Sequence, residues 1–142
     1  MNRKIQCDCG SVKIELTGKP RVQAYCHCID CRQLSKMAFS ALTAWNDDCV
    51  EITNGKENLI EFSHPDNKMK RNFCSMCGDT LFYTNRLGWR IISQVLMEKF
   101  KVFHATEFSP EKHLFYEQRI ININDSLPKY LRGSNSQVYS GS

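Results

Sequence analysis

The stretch YCHCIDCR, residues Tyr25 to Arg32, places Cys26, Cys28 and Cys31 within six positions. A tetrahedral zinc site takes four ligands, and thiolates are among its preferred ones. This run supplies three. The reading of the whole chain turns on whether a fourth residue closes that site or the position is left open for chemistry.

Four more cysteines form two further groups, Cys7 and Cys9 in CDCG and Cys74 and Cys77 in CSMCG. A Cys-x-x-Cys turn brings two thiolates onto one metal at about 2.3 Å. Cys-x-Cys does so only where the chain bends, because alternate side chains of a straight strand stand roughly 6.5 Å apart. Gly10 and Gly78 directly follow the two outer groups. At each, a positive φ would turn backbone N–H groups toward the sulfurs. The shared Cys-Gly ending pairs Cys7 and Cys9 with Cys74 and Cys77 as a closed four-thiolate site. Cys26, Cys28 and Cys31, followed by Arg32 instead of glycine, then make a second site. Three groups at chelate spacing argue against reading these residues as merely small buried apolar side chains. Cys49, the eighth cysteine, either closes the second site or packs at a strand start.

The bulk properties agree with a small metal-binding domain. A chain of 142 residues with 42% hydrophobic content has the size of one domain. Its net charge of +4 comes from scattered Lys and Arg, which makes a nucleic-acid partner unlikely. The start MNRKIQCDCG lacks the apolar core of a secretory signal, and no apolar run approaches the ~20 residues that span a bilayer. The expectation is a cytoplasmic protein, not a membrane one, whose cysteines stay reduced and bind metal.

The segments SVKIELTG, RVQAY, MAFSALTAW, VEITNG, NLIEFS, KMKRNF, DTLFYTN and WRIISQVL read as about eight short strands split by turn residues. Asn54-Gly55 is a hairpin signal. Helical signals are few: a turn or two in CRQLSKMA, and weaker ones in QVLMEKF and SPEKHLF, the latter with Pro110 at a helix-start position. The expected fold is mostly β, built of short antiparallel strands with metal-binding turns and little helix. Residues 131–142, RGSNSQVYSGS after Leu131, read by composition as a disordered C-terminal tail.

The order Cys-x-Cys-Gly, Cys-His-Cys-x-x-Cys-Arg, Phe-Cys-x-x-Cys-Gly resembles the glutathione-dependent formaldehyde-activating enzyme family, also called the centromere protein V/Gfa domain. The resemblance covers residues 3–130. It includes ITNGKENLIEF, KRNFCSMCGDTLFY, and the late His113–Phe115 and Asp125–Tyr130 motifs. It implies an Mss4-like (β-tent) fold, two Zn2+ per chain and carbon–sulfur lyase chemistry. It also implies that Cys7, Cys9, Cys74 and Cys77 hold structural zinc and that Cys26, Cys28 and Cys31 hold catalytic zinc. Two segments depart from the family pattern: QLSKM, where members commonly carry a glycine, and SQVLMEKF, which lacks a Gly-x-x-Asp-Asp-Pro pattern. Both lie where a substrate pocket is expected.

A zinc with three protein ligands keeps one position for water or substrate. That suits a small thiol, with glutathione one such substrate. Its thiolate would add to an aldehyde to form an S-hydroxymethyl adduct, or the adduct would be cleaved. His27 is a candidate proton shuttle, although its two metal-ligating neighbours favour a ring turned away. Arg32 is a candidate for offsetting thiolate charge, and Asp30 for a turn residue. Trp45, Phe82, Tyr83 and Trp89 read as core, and His113 as structural. The alternative to an enzyme is a non-catalytic module whose two structural zincs support a protein or nucleic-acid surface. A redox role for Cys28 and Cys31 ranks last, since no βαβ pattern surrounds them. The sequence carries no signal for oligomeric state.

Overall fold

A computed structural model of the protein describes residues 3–99 and 107–141. Among these, ten strands follow in chain order. They are β1 (Arg3–Gln6), β2 (Lys13–Leu16), β3 (Val22–Cys26), β4 (Ser40–Trp45) and β5 (Val50–Asn54), then β6 (Leu59–Ser63), β7 (Lys70–Cys74), β8 (Thr80–Thr84), β9 (Arg90–Ser93) and β10 (His113–Leu114). Two short helices accompany them, α1 (Ile29–Ser35) and α2 (Gln94–Lys99). Phe100, the last residue of the helical stretch QVLMEKF, lies outside the described residues.

The strands make two sheets, a three-stranded one in the order β1-β2-β5 and a seven-stranded one in the order β10-β3-β4-β9-β8-β7-β6. This is the mostly-β architecture expected. The pairings are antiparallel except for the two-residue parallel contact of β10 with β3. The principal core lies between the sheets. Ile5, Ile14 and Leu16 of the small sheet pack on Trp45, Leu81 and Ile92 of the large one, with Leu96 and Met97 of α2.

β4 shows why a central strand lacks clean alternation. Its last four residues are all buried, because both faces of the sheet are covered. Trp45 joins the inter-sheet core, and its indole Nε1 donates to Thr43 Oγ1 at 2.8 Å. Leu42 and Ala44 face the other way, into a second cluster that includes Cys26, Ile91 and Met69. The chelating run sits on that second face.

Four expectations are corrected. Asn54-Gly55 does turn the chain, but no hairpin forms: β5 pairs with β2 while β6 pairs with β7 in the other sheet. The chain crosses between sheets at Gly55, whose φ of 76° opens a short 3-10 turn, Lys56–Asn58. SPEKHLF makes no helix. Its His113–Leu114 becomes β10, because the β3 edge offers backbone partners that a short isolated helix lacks. α1 begins before Cys31, not after it, with Cys28 as its N-cap. Residues 131–141 are not loose: Leu131 N donates to Gln137 O, Phe115 N to Arg132 O, and Tyr139 packs on the Tyr116 ring at 5.2 Å. Composition could not show these partners, which lie on a preceding segment of the chain.

Gly55 also carries a prediction. A Cβ there would lie 1.7 Å from the Ser11 carbonyl oxygen, at a φ that side chains rarely adopt. Backbone blocks it, so relaxation is expensive. Gly55→Ala should destabilise the protein by roughly 3 kcal/mol or more, measured as a lower urea midpoint; an unchanged midpoint would show that the Ser11 loop yields freely.

Candidate metal centres

The first centre is assembled from two distant turns. After β1, Cys7 and Cys9 lie on a bend closed by Gly10 N donating to Cys7 O at 3.1 Å, with Gly10 at φ 77°. After β7, Cys74 and Cys77 lie on a turn closed by Gly78 N donating to Cys74 O at 2.7 Å, with Gly78 at φ 79°. Both glycines adopt the conformation expected of them. The four sulfurs lie within 4.8 Å of one another. Cys9 Sγ is 3.7 Å from both Cys7 Sγ and Cys74 Sγ. Four sulfurs about 2.3 Å from a tetrahedral metal stand about 3.8 Å apart, whereas a disulfide needs about 2.05 Å. The spacing fits a metal site and not a disulfide.

Backbone N–H groups support these sulfurs, Val12 N donating to Cys7 Sγ and Met76 N to Cys74 Sγ, each at 3.3 Å. Beside them, Asp8 N donates to the Asp79 carboxylate at 3.0 Å and Lys99 contacts Asp8, so the two turns are tied beyond the thiols. Burial pushes the Cys7 thiol up to about 11, while hydrogen bonding from Ser11 brings Cys9 down to about 6.

The second centre is built by one continuous run. Cys26 ends β3, Cys28 caps α1, and Cys31 lies in its first turn. The cap is the sulfur itself, Cys28 Sγ accepting from Cys31 N at 3.2 Å. The three sulfurs lie within 4.8 Å of one another, with Cys26 Sγ and Cys31 Sγ 3.6 Å apart. No fourth His, Cys, Asp or Glu joins them among the described residues, although the Met69 Sδ lies 3.7 Å from Cys31 Sγ. Cys49 stays away: its sulfur contacts Asp48, and it packs against the inter-sheet core. Among the described residues the sulfurs thus fall into one group of four and one of three.

Without a cation, three thiols this close cannot all ionise. Hydrogen bonds from Cys26 and Cys31 hold Cys28 down to about 3, and that same hydrogen bonding, with burial and the Cys28 charge, pushes Cys26 and Cys31 well up. A divalent metal would relieve that repulsion. Arg32 donates to the carbonyl oxygens of His27 (3.2 Å) and Gln118 (2.7 Å). It is held in place and also helps keep Cys28 ionised.

A cavity of about 530 Å³ adjoins this centre. Cys31 lines it together with Tyr25, Phe39, Leu42, Tyr83 and Ile91. Ser35 and Met37 from QLSKM, and Ser93 and Val95 from SQVLMEKF, complete its rim. Trp45 and Phe82 are buried core as expected, and Trp89 is half-buried beneath the Arg21 guanidinium. Tyr83 instead serves the cavity. Asp30 occupies the first turn of α1.

His27 is fully buried and is not a cavity residue. It lies just beyond the end of β3, where its backbone N donates to Leu114 O at 3.0 Å. Its ring stacks on Phe39, and its Nε2 meets His113 Nδ1 at 2.9 Å. His113 Nε2 in turn donates to the Asp125 carboxylate at 2.8 Å. This chain, buried at both histidines and reaching the surface at Asp125, ties the end of β3 to β10 and to the segment beyond it. Sequence reasoning missed it. The signal was present only as two late motifs containing His113 and Asp125, with nothing local to join them to His27. Among the described residues, His27 Nδ1 has no partner.

Burial, and then the His113, Arg119 and Arg32 charges, bring the His27 pKa from 6.5 to about 4. An unfolded chain accepts a proton on His27 near pH 6.5, whereas the folded one resists until near pH 4. Stability from this group is therefore complete above pH 6.5 and is lost as pH falls toward 4, by roughly 3 kcal/mol. Urea melts between pH 7 and 4.5 should show this slope, and His27→Gln should flatten it relative to the parent protein.

Comparison with known proteins follows the same lines. A family model described as glutathione-dependent formaldehyde-activating enzyme matches residues 2–118. A crystal structure of a Rhodobacter sphaeroides protein is similar in fold, with a TM-score of 0.52 and 23% identity, covering 67% of this chain and 87% of that one. No curated protein matches. No helix among the described residues is long and apolar enough to cross a membrane.

Proposed function

The chain belongs to the glutathione-dependent formaldehyde-activating enzyme family, and from that premise we propose that it is a zinc-dependent carbon–sulfur lyase. Two zinc ions per chain are proposed, a structural one on Cys7, Cys9, Cys74 and Cys77 and a catalytic one on Cys26, Cys28 and Cys31. The substrate is an S-hydroxymethyl adduct of glutathione or another small thiol, formed or cleaved in a reducing cytoplasm. One observation carries this reading: three thiols converge at metal-ligand spacing beside a cavity, and Cys49 does not join them.

Bound there, zinc would hold the substrate sulfur and lower its pKa. The chain's own residues do the rest. Cys28 and the α1 N-terminus fix the chelating turn, with Arg32 pinned across it. Cys31 lines the cavity, so a metal held by its sulfur would face the substrate there, and the apolar walls limit water. In the forward direction the thiolate sulfur bonds to the carbonyl carbon, and the carbonyl oxygen takes a proton from solvent. In reverse, the hydroxyl loses that proton and the C–S bond breaks, returning thiol and aldehyde.

X-ray absorption of the purified protein tests this, together with exchange NMR of formaldehyde–thiol mixtures. Expected are two zincs, averaging between three and four sulfurs each, and faster adduct exchange. Four sulfurs on both ions would favour the non-catalytic zinc module, and one zinc per chain would undo the division of sites.

A further inference from the structure

We infer that the cavity beside Cys31 binds a neutral thiol with an apolar body, in preference to a thiol that carries carboxylates. The inference rests on the open three-cysteine reading and specifies its substrate class.

Size does not decide the matter. At about 530 Å³ the cavity lies within the ordinary range for small-molecule sites, and a tripeptide is not excluded by volume. Charge decides it. None of the residues lining the cavity is Lys, Arg, His, Asp or Glu; its polar groups are serine and tyrosine hydroxyls and the Cys31 sulfur. Among the described residues, two nearby arginines are engaged elsewhere. Arg32 donates to two backbone carbonyls, and Arg71 lies over the Phe73 ring and donates to Thr80 Oγ1. Lys36 caps α1 from an exposed position and does not line the cavity.

A carboxylate entering here would shed water and meet no cationic side chain among the described residues of the lining. It would also approach a centre whose three thiolates exceed the charge of a divalent metal by one. An apolar body meets the opposite situation. Leu42, Ile91, Phe39 and Tyr83 offer it contact, and two apolar side chains at the rim, Met37 and Val95, are 58% and 74% exposed. Apolar surface at the mouth of an apolar cavity gains by covering a ligand.

Cobalt(II) placed in the cysteine sites of the full chain gives a thiolate charge-transfer spectrum that changes when a further thiol binds. Titration with phenylmethanethiol and with glutathione compares the two classes directly. Phenylmethanethiol should bind at least ~10-fold more tightly. Val95→Lys, at an exposed rim position, should narrow that gap by several-fold in favour of glutathione, and Val95→Asp should widen it. Glutathione binding as tightly or more tightly in the parent protein would overturn the substrate class while leaving the open site intact. A spectrum unmoved by either thiol would overturn the open-site reading itself, and this inference with it.

Discussion

With the structural zinc proposed for the four-cysteine centre, Cys74→Ser is expected to cost the protein most of its stability. Cys74 is fully buried, its sulfur lies 3.7 Å from Cys9 Sγ, and it accepts from Met76 N. The four-cysteine centre joins the turn after β1 to the turn after β7, and residues Asp8 and Asp79 beside it are themselves linked. Structural zinc binding in small domains is worth on the order of 10 kcal/mol. A whole domain of this size is stable by only about 5–15 kcal/mol. Serine is a far weaker zinc ligand, so losing this centre should remove much or all of the net stability. The measurement is metal content with a thermal melt by circular dichroism. One metal equivalent should disappear and the melt should fall by tens of degrees or vanish, with excess chelator producing the same state from the parent protein. Cys49→Ser is the control, expected to shift stability by no more than ~1 kcal/mol. If Cys74→Ser melts within a few degrees of its parent, the centre does not staple the fold.

Cys28→Ser should do the reverse: leave the fold standing and remove the chemistry. Cys28 is the N-cap of α1, and its sulfur accepts from Cys31 N at 3.2 Å. Serine is among the best N-cap residues, so its hydroxyl can take over that hydrogen bond. What it cannot do well is ligate zinc alongside Cys26 and Cys31. The expected result is a melt within a few degrees of the parent, loss of the second zinc, and a fall in adduct exchange of at least ~100-fold. Cys28→Ala, which loses cap and ligand together, should be the less stable of the two. A Cys28→Ser protein as unstable as Cys74→Ser would mean that the second centre is structural as well, and the lyase reading would lose its support.

The cysteine grouping could be read along the chain because chelate spacing is local. Two thiols separated by one or two residues either bend onto one ion or do not, and a following glycine decides the bend. Gly10 and Gly78 both adopt positive φ for that purpose. Strand stretches such as SVKIELTG were legible for a similar reason, since Ile14 and Leu16 alternate with solvent-facing neighbours. Where a segment's conformation depends on a partner elsewhere, the reading failed. Asn54-Gly55 forms its turn, yet whether β5 and β6 then pair is settled by the edges that β2 and β7 offer. SPEKHLF has a helix start by its own composition but lies along the β3 edge. The polar residues after Leu131 have no core of their own, and order comes from backbone bonds to 115–117 and 129.

The cysteines at chelate spacing, their grouping into four and three, and the mostly-β class were all legible in the amino-acid sequence, because each follows from spacing and periodicity within a few residues. Only the tertiary structure decided that Cys49 stands apart, that His27 turns inward to His113 and Asp125, and that Cys31 opens onto an uncharged cavity. Those facts join residues tens of positions apart. They are set by which strand edges pair and which faces are covered, and no local pattern encodes either.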